Sequence, residues 1–75
     1  MESMDRSDTD RRTFERRIIG RGFFFTGRKM DNAEIWENHS GDGHVFQLDH
    51  IGIFHYIGGK RIKGVSWDRV AKYEF

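Results

Sequence analysis

Short runs in which apolar and polar residues alternate, separated by glycines, make up most of the chain after residue 12. The clearest run is HVFQLDH at 44–50, in which Phe46 and Leu48 are two positions apart and Gln47 lies between them. Successive side chains of a strand point to opposite faces of a sheet. This run therefore predicts a strand with one buried face.

Further runs of the same kind predict the other strands. β-branched and aromatic residues fill them and glycines separate them, which is the composition of strands and tight turns. These predicted strands are TFERRIIG (13–20), GFFFTGR (22–28), IGIFHYI (51–57) and KRIKGV (60–65). A single helical turn is expected in SWDRVAK (66–72), which Ser66 can cap.

The segment AEIWENH (33–39) permits two interpretations. Asp31 is followed three residues later by Glu34, the spacing of a helix N-cap and its reciprocal acid. A strand is favoured instead, because SGDG at 40–43 then forms a hairpin turn into the next strand.

Five or six short strands in 75 residues predict an all-β or β-dominated domain. We expect a small barrel, OB-like or Src-homology-3-like, because closure removes the exposed edges of a sheet. One short helical turn is expected near its C-terminus. Residues 1–11 contain few apolar side chains and are expected to form a disordered acidic tail. Residues 12–75 are then the barrel domain.

Charge is distributed in blocks, although the net charge is only +1. Residues 11–29 hold seven basic residues and one acid, and residues 60–75 hold five basic residues and two acids. Residues 30–59 hold five acids and no Lys or Arg. The basic blocks make a positive face if the fold brings them together. Pairing between basic and acidic blocks on neighbouring strands would instead neutralise them.

The segment GRGFFFTGRK (20–29) places three phenylalanines between basic residues. Aromatic rings stack on bases, and basic side chains hold phosphates. Alternatively, Phe23 and Phe25 are ordinary core residues and Phe24 lies outside, since a small domain needs large residues in its core. The pattern favours a non-enzymatic module that binds nucleic acid, preferably single-stranded. Its predicted contact residues are Arg16, Arg21, Phe24, Arg28, Lys29, Lys60, Arg61 and Lys63.

Two segments resemble motifs of the cold-shock domain family. RGFFFT (21–26) is similar to that family's Lys-Gly-Phe-Gly-Phe-Ile, and HVFQL (44–48) is similar to its Val-Phe-Val-His. The resemblance implies an OB barrel whose rings stack on single-stranded bases. It assigns that stacking to Phe23, Phe25 and Phe46. The C-terminal KGVSWDRVAKYEF looks like the end of a Src-homology-3-type barrel, a fold that by itself fixes no function.

The acidic block supports a different class of function. Tryptophan is enriched at the centres of protein interfaces, and Trp36 lies among acids. The alternative is therefore a protein-interaction or regulatory domain that docks on a larger machine, such as a phage- or plasmid-type modulator of a host enzyme. Its predicted contact residues are Glu34, Trp36, Glu37 and Asp42.

Other classes have little support in the sequence. The chain has no cysteine, which excludes disulfides and thiolate metal sites and suits a cytoplasmic protein. The spacing of the histidines is poor for a metal site within one strand; they are His39, His44, His50 and His55. No nucleophile motif or phosphate-binding loop is present, and no apolar run approaches the ~20 residues that span a bilayer. We expect no catalysis, no cofactor, no metal and no membrane partner.

Overall fold

The computed structural model describes residues 6–74, and the side chains of residues 6–8 lie outside that description. One helix precedes five strands and a short 3₁₀ helix. The elements are α1 (Arg6–Ile19), β1 (Phe23–Met30), β2 (Ala33–Asn38), β3 (His44–Leu48), β4 (Gly52–Ile57), β5 (Lys60–Ser66) and the 3₁₀ helix Val70–Lys72. The 3₁₀ helix confirms the helical turn expected near the C-terminus.

The strands form one antiparallel sheet in the order β1-β2-β3-β4-β5. Each strand therefore pairs with its neighbour in sequence. The first hairpin turns at Asp31 and Asn32, whose φ angles of 51° and 70° belong to a left-handed region that Asp and Asn tolerate. The strand interpretation of residues 33–39 is confirmed, since β2 covers most of that segment.

The β-dominated class is confirmed, but the sheet is open where a closed or half-closed barrel was expected. Within residues 6–74, β1 and β5 form no ladder with each other and are the two outer strands. The helix supplies the physical reason. It covers one face of the sheet, so the strands do not need to curl onto themselves to build a core.

The helix α1 corrects two expectations. Residues 13–20 were predicted as a strand, and residues 6–11 belonged to the expected tail, yet both lie in or next to α1. Phe14 and Ile18 are four positions apart and are both fully buried, so helical spacing prevails over the β-branched Ile18 and Ile19. Residues 1–5 of the expected tail lie outside the described part of the chain.

The core lies between α1 and one face of the sheet, which we call the covered face. Phe14 meets Phe46 of β3 edge-on, with ring centroids 5.2 Å apart and an interplanar angle of 86°. Trp67, just before the 3₁₀ helix, is a further edge-on neighbour of Phe14 at 6.3 Å. Phe23 packs on Phe46 from β1 at 4.9 Å. These four rings belong to a core cluster of nine buried residues, in a domain that buries little surface.

The C-terminal segment is tied to the helix by one arginine. The Arg17 guanidinium donates hydrogen bonds to the backbone carbonyls of Val70, at 3.0 Å, and Tyr73, at 2.6 Å. The Trp67 indole donates to the carbonyl of Asp49 at 2.8 Å. These bonds hold residues 67–73 against α1 and the covered face.

Adjacent isoleucines on α1 test this packing. Ile18 is fully buried and Ile19 is 55% exposed, so Ile→Val changes the same chemistry in two environments. Ile18→Val is expected to lower the free energy of unfolding by about 0.5–1.5 kcal/mol. Ile19→Val, the matched control, is expected to change it by less than about 0.5 kcal/mol. Urea denaturation followed by circular dichroism measures both, and equal losses would contradict the orientation of α1.

Candidate nucleic-acid interface

The second face of the sheet carries no helix among the described residues, and we call it the open face. Residues directly opposite each other on paired strands share a face. The registers therefore give two rows of side chains across the open face. The first is Phe24–Glu37–Val45–Tyr56–Arg61. The second is Ile35–Gln47–Phe54–Gly64. With neighbouring strands about 4.8 Å apart, the first row, which crosses all five strands, spans about 19 Å.

Aromatic rings lie at both ends of the open face. Phe24 is half-buried and stacks on the exposed His39, with ring centroids 4.3 Å apart and planes 24° apart. On the far side, Phe54 lies against Gly64, where an added Cβ would come within 2.8 Å of the ring. The glycine lets that ring lie flat on β5. Tyr56 is half-buried on the same strand as Phe54, two positions further along.

Arginines border these rings at both edges of the sheet. The Arg61 guanidinium lies 5.0 Å from the centroid of Phe54. At the other edge, a bulge between Phe25 and Lys29 brings Arg28 to the Glu37 carboxylate at 2.7 Å. This pair offsets the one acid on the rows described above. Its Arg28 side chain is 69% exposed and so remains accessible.

The structure separates the eight residues predicted to contact nucleic acid. Phe24, Arg28 and Arg61 border or lie on the open face. Three lysines are exposed on the outer strands but stand opposite residues of the covered face; they are Lys29, Lys60 and Lys63. The last two predicted residues are outside the sheet: Arg16 is on α1 and Arg21 is in the turn that follows it. The basic residues of β1 and those of β5 therefore lie at opposite edges of the sheet and do not form one patch.

The stacking residues implied by the cold-shock resemblance do not form an accessible surface. Phe23 is 6% exposed and Phe46 is fully buried, both in the core. Phe25 is 39% exposed and packs on Trp36, with ring centroids 5.8 Å apart. Phe23 is therefore core as expected, and Phe24 is half-exposed as expected, whereas Phe25 is more exposed than a core residue.

Sequence reasoning missed three rings of the open face, namely His39, Phe54 and Tyr56. A signal for two of them is present in GIFHYI, the sequence of β4. Phe54 and Tyr56 are two positions apart and share one face, while Ile53 and His55 share the other. The alternation of residues in β4 could have placed both rings on the face of the strand that is opposite to the buried Ile53.

The residues of the alternative protein-binding surface are also divided between faces. Trp36 is 7% exposed, and its indole donates to the Glu34 carboxylate at 3.1 Å. Glu34 also pairs with Arg11 of α1 at 3.1 Å on the covered face, whereas Glu37 lies on the open face. Asp42 is in the β2–β3 loop, where the His44 amide lowers the pKa of its carboxyl. Trp36 is therefore part of the core and is not an exposed anchor.

A chain of hydrogen bonds runs from β3 to the C-terminal segment beneath the covered face. Nδ1 of His44 lies 2.9 Å from Nε2 of His55, and Nδ1 of His55 lies 2.6 Å from the Tyr73 hydroxyl. A neutral imidazole has one donor and one acceptor, which matches these two partners. Burial lowers the pKa of His55, with His44 adding to the effect, and burial raises the pKa of Tyr73.

Metal ligation and membrane insertion receive no support from the described residues. Among the side chains that the structure describes, in residues 9–74, no three of the usual ligand types cluster to hold a metal ion. None of the helices described is long and apolar enough to cross a bilayer. Comparisons of the chain with protein-family models, curated proteins and solved structures give no match.

The buried imidazole makes stability depend on pH. The folded-state pKa of His55 lies below its ordinary value of 6.5, so the unfolded chain binds the proton more readily. The stabilising effect is present above pH 6.5 and is lost as the pH falls through the folded-state pKa. Urea denaturation at pH 7 and pH 5 is expected to show a smaller loss of stability in His55→Gln than in the wild type. His50→Gln, at an exposed position, is the matched control and should retain the wild-type loss; an equal loss in His55→Gln would contradict this origin.

Proposed function

We propose that this chain binds single-stranded nucleic acid on the open face of its sheet. The observation that carries the proposal is the combination of partly exposed rings with an arginine at each edge of the same face. Phe24 and Arg28 occupy one edge, and Phe54, Tyr56 and Arg61 occupy the other side. Bases stack on aromatic side chains, and arginine binds phosphate through a planar fork of donors.

The contacts suggest how such a strand would lie. One base stacks on the Phe24–His39 pair, which already holds two parallel rings in contact. Further bases stack on Tyr56 and on Phe54, whose ring packs against Gly64 and lies next to the Arg61 guanidinium. A sheet that offers rings in this way accommodates about two or three bases. The surface thus suits a short stretch of one strand, whose bases can leave their stack.

Electrostatics supports the same surface. Arg61 is exposed, and no carboxylate within the described residues forms an ion pair with it. Arg28 can exchange Glu37 for a phosphate, because an exposed pair contributes only about 0–1 kcal/mol. The lysines of β1 and β5 flank the face and add attraction at longer range. This arrangement does not require the two basic blocks of the sequence to meet.

The neighbouring phenylalanines of β1 provide a matched test. Phe24 lies on the open face and Phe25 on the covered face, so each Phe→Ala change removes one ring from a different side. Fluorescence anisotropy with labelled single-stranded DNA and RNA of the same sequence is the measurement. Phe24→Ala is expected to weaken binding by about 1–3 kcal/mol, since one base loses its stacking partner. Phe25→Ala is expected to bind like the wild type.

The proposal would be contradicted if neither single-stranded DNA nor single-stranded RNA bound, or if the two variants lost the same amount of binding free energy. Circular dichroism on both variants separates a lost contact from a lost fold. A duplex of the same sequence is expected to bind more weakly, because its bases remain stacked on each other.

Salt dependence tests the arginines separately from the rings. Binding should weaken as salt increases, and the slope of log K against log salt should fall by about 0.7 when one phosphate contact is removed from a single-strand complex. Arg61→Gln is expected to show this reduction. Arg16→Gln is the matched control because Arg16 is exposed on α1, away from the open face. An unchanged slope in Arg61→Gln would remove that residue from the interface.

A further inference from the structure

The outer edge of β5 is exposed along most of its length. β5 is the last strand of the sheet and pairs only with β4 among the described elements. Every residue from Lys60 to Gly64 is exposed. Alternate backbone amides and carbonyls of such an edge point away from the sheet and can pair with another strand.

A groove lies beside this edge. It has a volume of about 720 Å³ and runs between β5 and the segment after it. Ile62, Lys63 and Val65 line one wall, and Arg69 and Lys72 line the other. Ile62 is the bulged residue of β5, since Tyr56 pairs with Arg61 and His55 pairs with Lys63, and it is 50% exposed. The groove therefore offers both apolar surface and positive charge next to unpaired backbone.

The positive charge of the groove determines which kind of strand can pair with this edge. Three basic residues line the groove against one acid, Glu74. Lys63, Arg69 and Lys72 form no ion pair within residues 9–74. A second copy of the chain would bring like charges together, because both of its outer strands carry basic residues, at positions 28–29 and 60–63. Like charges opposite each other on paired strands are destabilising.

We propose that β5 binds an acidic peptide segment of a partner protein by strand addition. The peptide would lie extended along β5 and form main-chain hydrogen bonds with its outer edge, which give affinity. Its alternate side chains would enter the groove, where acids meet Lys63, Arg69 and Lys72. This surface is separate from the open face, so it does not depend on the nucleic-acid proposal.

The test uses labelled peptides of the length of β5, 7 residues, with the full chain. One peptide alternates valine with glutamate, and its partner alternates valine with lysine. Fluorescence anisotropy is expected to show binding of the glutamate peptide alone. A glutamate peptide with N-methyl groups on alternate amides keeps its charge but loses half of its donors. In one of the two possible registers of methylation, binding should be lost.

Paired variants locate the site. Lys63→Gln combined with Lys72→Gln is expected to weaken binding of the glutamate peptide by about tenfold, because two exposed charge pairs are removed. Lys29→Gln on the opposite outer strand is the matched control and should bind like the wild type. Amide hydrogen exchange should slow in β5 when the peptide is bound. Phe24→Ala should bind the peptide normally, which separates this site from the open face.

Several outcomes would overturn the proposal. Binding that survives both methylation registers would show attraction by charge without strand addition. Equal binding of the lysine peptide, or an equal loss in Lys29→Gln, would show that the basic groove does not select the ligand. Slower exchange in β5 on adding a single-stranded oligonucleotide, and not on adding the peptide, would assign this edge to nucleic acid.

Discussion

The contact between Phe14 of α1 and Phe46 of β3 is the constraint on which the rest of the structure depends. A sheet of five strands has two faces, and residues 6–74 supply one α-helix with which to cover them. Phe14 and Ile18 are fully buried against one face, and Trp67 closes the end of the same layer. The opposite face consequently remains outside the core. The candidate interface is thus a result of how few elements the chain has, together with the side chains that the uncovered face presents.

Much of the sheet could be predicted because strand patterning is local. Alternation in 44–50 and the glycine-rich turns indicated most of the strands, and consecutive antiparallel strands pair readily across short turns. The helix could not be predicted as easily. Its buried residues Phe14 and Ile18 lie one helical turn apart, which is a helical pattern. They are surrounded by charged residues and followed by Ile19, so the same short segment also contains the β-branched pair typical of a strand. The packing of Phe14 against Phe46 favours the helix over the strand.

The open sheet, which replaces the expected barrel, also explains why the basic residues of the outer strands do not meet. In a barrel of consecutive strands, the first and last strands are neighbours, and the basic residues of β1 and β5 would have met. In the open sheet they are separated by three strands. The face that each ring occupies depends on register, which the bulge after Phe25 shifts. Phe54 and Tyr56 could be placed from alternation, whereas the contact of Phe24 with His39 requires the course of the β2–β3 loop.

The hydrogen bonds from Arg17 to the carbonyls of Val70 and Tyr73 also determine at what point of its synthesis the domain can fold. Arg17 and Val70 are 53 residues apart, and Arg17 and Tyr73 are 56 apart. Phe14 and Trp67 are also in contact, although all five strands lie between them in the sequence. Contacts between such distant positions require the intervening chain to be in place. A nascent chain that lacks residues 67–73 can form β-hairpins but leaves part of the aromatic core exposed to water. The emerging polypeptide therefore gains its full stability only after this segment has left the ribosome.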